Sequence, residues 1–330
     1  MRAYWYEKAG AAAEVMHAGE MSDPSPGQGD VRVRVTHSAI NPTDSKRRKT
    51  GRELQAFGRI IPNNDGAGTI DAIGAGVSPA RIGERVWIFG AQAGRPSGTA
   101  AEYVALPSRQ AIALPAGVVL AAGACLGVPA VTAHRGLFAD GSIAGQTVLV
   151  TGAAGRVGAY AVQLAKWAGA RVIGTVGSAE KAAAVRALGA DLVLNYASDD
   201  VVKAVLAFTG GVGVDRIVDP AFSETIPLAP QLLRANGVIA SYSSDADPAP
   251  QIPFLALMYK NITIRPLAIF GMPAEAQDRA FADITAALRA GVLTHRIGRR
   301  MAFDQMAEAH AIMDGAGVWG CLVVDVASET

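Results

Sequence analysis

Cysteine is scarce in this chain. The 330 residues include two, Cys125 and Cys321, at a spacing that makes neither a zinc site, a redox pair nor a disulfide framework. They are expected to be ordinary core residues of a protein kept in a reducing, cytoplasmic setting. Charge is scarce too: charged side chains make up 18% of the residues and nearly cancel, leaving a net +1. That balance offers nothing to nucleic acid or to an anionic membrane surface. The N-terminus MRAYWYEKAG lacks the apolar core of a secretory signal. Residues 110–133 carry no charge, long enough to cross a bilayer, yet Pro115 and Pro129 interrupt them and Gly117, Gly123 and Gly127 lie between. They read as buried segments of a soluble protein. No Ser/His/Asp grouping or carboxylate pair points to hydrolysis.

The chain has instead half its residues hydrophobic, enough for two folded domains. Its most informative stretch is VLVTGAAGRVGAYAVQLAKWA, residues 148–168. Val148 to Val150 form an apolar run, Thr151 to Gly158 a glycine turn. Val157, Ala161, Leu164, Ala165 and Ala168 then share one helical face. Strand, tight turn and helix in that order aim backbone N–H groups of Ala154, Gly155, Arg156, Val157 and Gly158 and a helix N-terminus at one point, which suits a pyrophosphate. Gly155 lets the backbone approach the phosphates and Gly158 lets the helix pack closely on the strand; Ala153 stands where the first glycine of GxGxxG usually stands. Strands are predicted at 171–176, 191–195, 214–219 and 237–242, with helices at about 178–188 and 199–208 between them. Ser178 is the expected N-cap of the first. This alternation predicts a doubly wound parallel sheet, an α/β Rossmann domain.

The first part of the chain has another grammar. Val31, Val33 and Val35 alternate with Arg32, Arg34 and Thr36, the period of a half-buried strand. Further strand-like pieces at 2–7, 69–73, 85–89 and 101–106, separated by glycine and proline, predict an irregular antiparallel β domain. The nucleotide domain is placed at 123–267. A patterned helix at 274–290 and a last strand at 320–326 form a tail too short to fold alone, so residues 268–330 are assigned to the first domain with 1–122.

Several stretches taken together (Asn41-Pro42-Thr43-Asp44, Asp65-Gly66-Ala67-Gly68, Gly83-Glu84-Arg85-Val86, Thr99 to Tyr103, Gly127 to Arg135 and Gly145 to Tyr196) resemble the medium-chain dehydrogenase/reductase superfamily, specifically its zinc-free quinone oxidoreductase, zeta-crystallin-like branch. The resemblance implies a GroES-like catalytic domain interrupted by the Rossmann domain, with the active site in the cleft between them. Where zinc-containing relatives carry a ligand cysteine this chain has Asn41, and where they carry Gly-His-Glu it has Asn63-Asn64-Asp65, so no metal is expected. Of the five histidines, the resemblance places only His134 in a segment facing the cleft.

NAD enzymes of this type usually carry an acid at the tip of the second strand. Here the tip is Gly174-Thr175-Val176-Gly177-Ser178, without one, and the resemblance assigns Lys181 and Tyr196 to the 2′-phosphate of NADPH. It also places Asn41 and Asp44 near the acceptor, Thr132 at the nicotinamide end and Arg265 in a segment skirting cofactor and subunit interface. Arg265 reads equally well as an ordinary salt bridge, and Asn41-Pro42 as a plain turn. The basic run Lys46-Arg47-Arg48-Lys49 departs from the branch, which often has an aromatic residue at the position of Lys46. It reads as a solvated charge run or, alternatively, as a source of positive field at the acceptor oxygen. Ala316 replaces an arginine found in some relatives. The implied activity is hydride transfer from NADPH to quinones or related conjugated carbonyl compounds. Reduction of the enone or 2-alkenal double bond, and nucleotide binding without turnover, stay open. A homodimer through the sixth Rossmann strand, 262–267, completes what the resemblance implies.

Overall fold

The computed structural model describes residues 1–315 and 318–328. The chain divides into two compact units: Met1–Val128 together with the segment from His295 onward, and Pro129–Thr294.

In the first unit β1 (Arg2–Trp5) and β2 (His17–Glu20) form a small antiparallel pair. The main sheet is organised on β3 (Asp30–Ile40), whose Val31, Val33 and Val35 are fully buried while Arg32 and Arg34 face outward. Helix α1 (Pro42–Thr50) follows at once. Then come β4 (Asp65–Ile73), β5 (Arg85–Ile88), β6 (Tyr103–Pro107) and β7 (Ala111–Ala113).

The second unit begins within helix α2 (Gly127–Phe138). It continues through β8 (Thr147–Val150), α3 (Arg156–Trp167), β9 (Arg171–Val176), α4 (Ala179–Ala187), β10 (Leu192–Asn195), α5 (Val201–Phe208), β11 (Val214–Asp219), β12 (Leu233–Ser241), the short helix α6 (Phe254–Tyr259), β13 (Thr263–Pro266) and α7 (Ala274–Arg289). The chain then returns to the first unit as β14 (Ile297–Ala302), α8 (Met306–Asp314) and β15 (Cys321–Asp325).

The first unit's sheet runs β14-β15-β3-β4-β5-β7, with β6 also on β3. It is antiparallel except for the β14–β15 pair. The second unit's sheet is parallel, in the order β10-β9-β8-β11-β12-β13. Every residue of β8 is buried, as a parallel strand covered on both faces requires. The chain steps outward from β8 to β10 and resumes at β11 on the other side of β8. The order therefore reverses between β8 and β11, and ligands of such sheets sit outside the carboxyl ends of the strands at that reversal.

Two expectations need correction. Residues 268–294 lie in the second unit, and its first residue is Pro129 rather than residue 123. Helix α7 buries Ala280, Phe281, Ile284, Ala287 and Leu288 on one face. Asp283 on α7 bonds His134 Nε2 of α2 at 2.8 Å, and Gln163 of α3 accepts the Thr294 N–H at 2.7 Å. A sequence-separated tail is thus packed where its apolar face finds a partner. Asn41-Pro42, open to reading as a turn, starts a helix: Asn41 is the N-cap and Pro42, whose missing N–H costs nothing in a first turn, sits at N1.

Candidate active site

The turn after β8 is built from backbone. Helix α3 starts from an extended Gly155 with no side chain capping it, and the Gly155 N–H closes the turn onto the Gly152 carbonyl at 2.8 Å. At Gly158 a Cβ would lie 2.8 Å from Ala153 Cα and closer still to the Gly152 carbonyl oxygen; only glycine lets the helix begin there. Ala153, at the position usually held by the first glycine, is fully buried. Its methyl is accommodated because Gly174 of β9 faces it, where a Cβ would come within 2.9 Å of Ala153 Cβ. Asp219, buried at the end of β11, was not foreseen. It accepts Thr151 Oγ1–H at 2.6 Å, Thr225 Oγ1–H at 2.7 Å and Ser241 Oγ–H at 3.0 Å, tying the carboxyl ends of β8, β11 and β12 together beneath the turn.

Four of the expected cofactor residues gather at the tip of β9. Ser178 caps α4 by accepting the Lys181 N–H at 3.3 Å. Tyr196 donates its N–H to Val176 O at 3.0 Å. Its ring lies over Gly177, where a Cβ would stand 2.9 Å from Cζ. Tyr196 is 62% exposed, an aromatic side chain held out in solvent rather than in the core. No carboxylate occurs from Gly174 to Ser178. Glycine backbone, a hydroxyl, an ammonium and a phenol fit an adenosine ribose bearing a phosphate better than one bearing a bare 2′-hydroxyl.

The first unit holds a different kind of polar centre, made of side chains bonded to each other beneath α1. Asn41 donates its N–H to Asp44 Oδ2 at 2.7 Å and its Nδ2–H to Asp65 Oδ2 at 2.7 Å. Asn64 Nδ2–H reaches Asp44 Oδ1 at 2.6 Å, and the Val128 N–H reaches Asp65 Oδ2 at 2.7 Å. Asn63 Nδ2–H donates to Ser38 Oγ at 3.0 Å, and Thr99 Oγ1–H to Asp65 O at 2.6 Å. All these side chains are buried. Burial pushes the Asp44 carboxyl up, opposed by its bonds from Asn41 and Asn64 and by Arg47. Burial and then the charge of Asp44 push Asp65 well above the ordinary aspartate value.

Residues 27–116 match the alcohol dehydrogenase GroES-like domain, and residues 157–286 the family described as zinc-binding dehydrogenase. A 2-haloacrylate reductase from Burkholderia is 30% identical over 316 residues, covering 92% of this chain and 93% of that protein. The chain belongs to the medium-chain dehydrogenase/reductase superfamily, in its quinone oxidoreductase branch. Human quinone oxidoreductase is 27% identical over 307 residues, 92% of each chain. A mycobacterial protein solved as a complex with NADPH aligns with a TM-score of 0.84 at 26% identity, over 99% of this chain and 100% of that one.

As an oxidoreductase of the quinone oxidoreductase branch, the chain carries carboxamides, Asn41 and Asn64, at the positions of the zinc relatives' cysteine and histidine. Neutral amides are weak partners for zinc beside thiolate and imidazole. Among the described residues, no three of His, Cys, Asp and Glu come together as a metal site. Lys46 is exposed on α1. The reading of Lys46 to Lys49 as a solvated run is corrected at its centre. Arg47 and Arg48 are buried, Arg48 holding Asp314 of α8 at 2.5 Å and the Gly10 carbonyl, while Arg47 lies 3.7 Å from Glu53. Helical spacing turns the two central members inward and leaves Lys46 and Lys49 exposed, which composition alone does not reveal.

Thr132 is buried on α2. Arg265 is committed to Asp140, which also accepts from buried Arg216 at 2.8 Å; the salt-bridge reading describes it. His134, besides bonding Asp283, lies tilted against Phe138, the ring centroids 4.7 Å apart. Ala316 lies outside the described residues. In the sequence Asn64 stands out for the ligand position it occupies, and Asp65 for that and for the Asp65-Gly66-Ala67-Gly68 stretch. The Asn-Asn-Asp run beside Gly66 and Gly68 was the available signal of a buried network.

Proposed function

We propose that the chain is a zinc-independent, NADPH-dependent reductase of conjugated carbonyl compounds, with quinones as the leading class. The observation that carries this reading is the acid-free tip of β9, with Lys181 and Tyr196 flanking Gly177 and Ser178. When bound, NADPH supplies a hydride to the acceptor. The chain's own part is to hold and orient. The turn at Ala154 to Gly158 receives the pyrophosphate, with the Gly155 N–H itself held by the Gly152 carbonyl at 2.8 Å, Lys181 and Tyr196 bond the 2′-phosphate, and Thr132 lies toward the nicotinamide end. Asn41, steadied by Asp44, donates its remaining amide N–H to the acceptor oxygen as negative charge develops there. Lys46 adds positive field from the exposed face of α1. A simple alcohol presents no conjugated oxygen, and no thiolate–imidazole zinc set is available to assist its deprotonation.

Steady-state NADPH oxidation against a panel of 1,4-quinones and enones tests the reading, with reduction of 1,4-quinones the expected result. NADPH binding without turnover of any acceptor would overturn it. The Burkholderia relative, named for reduction of a haloacrylate, favours a second reading in which the carbon–carbon double bond is the target; exclusive turnover of enones at that bond establishes it.

No helix among the described residues is long and apolar enough to cross a membrane. Cys125 and Cys321 are buried and in no disulfide, which supports the proposed cytoplasmic setting. A homodimer is part of the proposal: β13 is an edge strand, and beside it α6 exposes Phe254, Leu255, Met258 and Tyr259, the last 79% exposed. An unpaired edge next to an apolar helix is a surface a second copy can cover. Light scattering should give twice the 34.0 kDa chain mass, and Leu255→Asp with Tyr259→Asp should return it to one; a monomeric wild type overturns the dimer alone.

A further inference from the structure

Two buried carboxyl groups share one asparagine in the first unit, and their hydrogen bonds differ. Both oxygens of Asp44 accept, Oδ2 from the Asn41 N–H and Oδ1 from Asn64 Nδ2–H, with the Arg47 guanidinium as the facing positive charge. That is the environment of an anion. Asp65 receives both of its bonds, from Asn41 Nδ2–H and the Val128 N–H, on Oδ2. Its Oδ1 is buried without a partner. An oxygen that accepts twice beside one that accepts nothing is the pattern of a carboxylic acid, with Oδ2 the carbonyl and Oδ1 the hydroxyl. An acceptor lies nearby. A Cβ on Gly127 would overlap Asp65 Oδ1 and stand 2.8 Å from the Ile88 carbonyl oxygen, so these two oxygens flank one small space.

We propose that Asp65 is a positioning residue held as a neutral acid, fixing the Asn41 carboxamide for the acceptor while Asp44 carries the charge of the pair. This rests on the reading of Asn41 as the acceptor's hydrogen-bond donor. Asp65 oriented by two donors admits only the amide nitrogen of Asn41 on its side, which settles which way that carboxamide points. Its neutrality matters for the chemistry. An anion one hydrogen bond from Asn41 would oppose the negative charge growing on the acceptor oxygen, whereas an acid leaves the Asn41 N–H dipole unopposed. The groups facing Asp65 divide. The Asp44 charge from α1 and the Cys321 thiol from β15 disfavour a second anion. The Val128 N–H at the start of α2 and the Asn41 Nδ2–H favour one. Burial adds to the first side, and the acid form wins.

The test uses the full-length protein and two isosteric variants. Infrared spectra at neutral pH should show the carbonyl stretch of a buried protonated carboxyl in the wild type and in Asp44→Asn, and not in Asp65→Asn. Its absence from the wild type, or its loss in Asp44→Asn, overturns the proposal, and these two spectra decide even if Asp65→Asn does not fold. In NADPH-driven 1,4-benzoquinone reduction, Asp65→Asn should keep kcat within about threefold at neutral pH and lose the alkaline decline of the wild type. A variant that keeps that decline, or drops kcat more than about tenfold while folded, removes the positioning role. If Asn41→Ala leaves kcat unchanged while the infrared band stands, the acceptor reading of Asn41 fails and the protonation of Asp65 survives it.

Discussion

The two polar centres of this protein are built from opposite materials. In the second unit the turn after β8 is shaped by glycine backbone, where Gly158 leaves no room for a Cβ. In the first unit the centre beneath α1 consists of carboxamides and carboxyls that satisfy each other, and the backbone recedes. A backbone site tolerates no Cβ at particular points, so each substitution meets a wall. A side-chain site is a network, and each substitution strands a neighbour.

Steric failure at the turn is the strongest way to break that contrast. Gly158→Val should cost about 2–3 kcal/mol of stability through overlap with Ala153 and Gly152, read by urea unfolding, and should abolish NADPH binding in whatever protein folds. Next, Asn41→Ala should lower kcat by about a hundredfold, the lower end of what loss of an oxyanion donor costs, about 2.7 kcal/mol. NADPH affinity, measured by fluorescence titration, should stay within about twofold, because the cofactor groups lie on the other unit. Equal losses in kcat and affinity would merge the two centres into one. Lys181→Ala should weaken NADPH by roughly ten- to a hundredfold and leave NADH unchanged, the worth of one charge-assisted bond to phosphate. Calorimetric titration of both nucleotides checks it.

How much of this could be read beforehand follows the same division. The turn at 151–158, Ser178 as N-cap and the strand–helix alternation were legible because glycine spacing, capping residues and periodicity are local signals. Asp65 and Asp219 were not, since their partners lie in other elements: Val128 for one, Thr151 and Ser241 for the other. Helix α7 was recognised as a helix and given to the wrong unit, because an amphipathic pattern states that a face is buried and not against what. Arg47 and Arg48 illustrate the same limit in reverse; a charged run says nothing of which members a helix turns inward.

The smallest expected effect concerns pH. His310 of α8 is fully buried with neither ring nitrogen partnered. Burial, then the Arg48 charge, pushes its value down to about 3. Above pH 6.5 the imidazole is neutral whether the chain is folded or not, and no penalty arises. Below 6.5 the unfolded chain takes up a proton that the folded one refuses until about pH 3. Stability therefore falls through that window by up to about 1.4 kcal/mol per pH unit from this group. His310→Leu should flatten part of the fall, on the order of 1 kcal/mol at pH 5.5 relative to pH 7.5, measured by denaturant titration at each pH. An unchanged slope would show that the buried polar groups of the first unit are less tightly sealed than those beneath the turn.

The meeting of Ala153 with Gly174 has a consequence for how such chains are recognised. The first glycine of the fingerprint is usually treated as a property of one position, yet here the missing methyl has moved across to the neighbouring strand. What this chain holds fixed is a shared volume, divided between a loop residue, Ala153, and a strand residue, Gly174. A Cβ on Gly174 would also stand 2.9 Å from Val185 Cγ1, so exchanging the two, Ala153→Gly with Gly174→Ala, should relieve part of the strain of Gly174→Ala alone, a coupling that a double-mutant cycle would register. Searches that demand glycine on the loop side see half of a two-sided constraint, and will pass over nucleotide folds that meet it from the other strand.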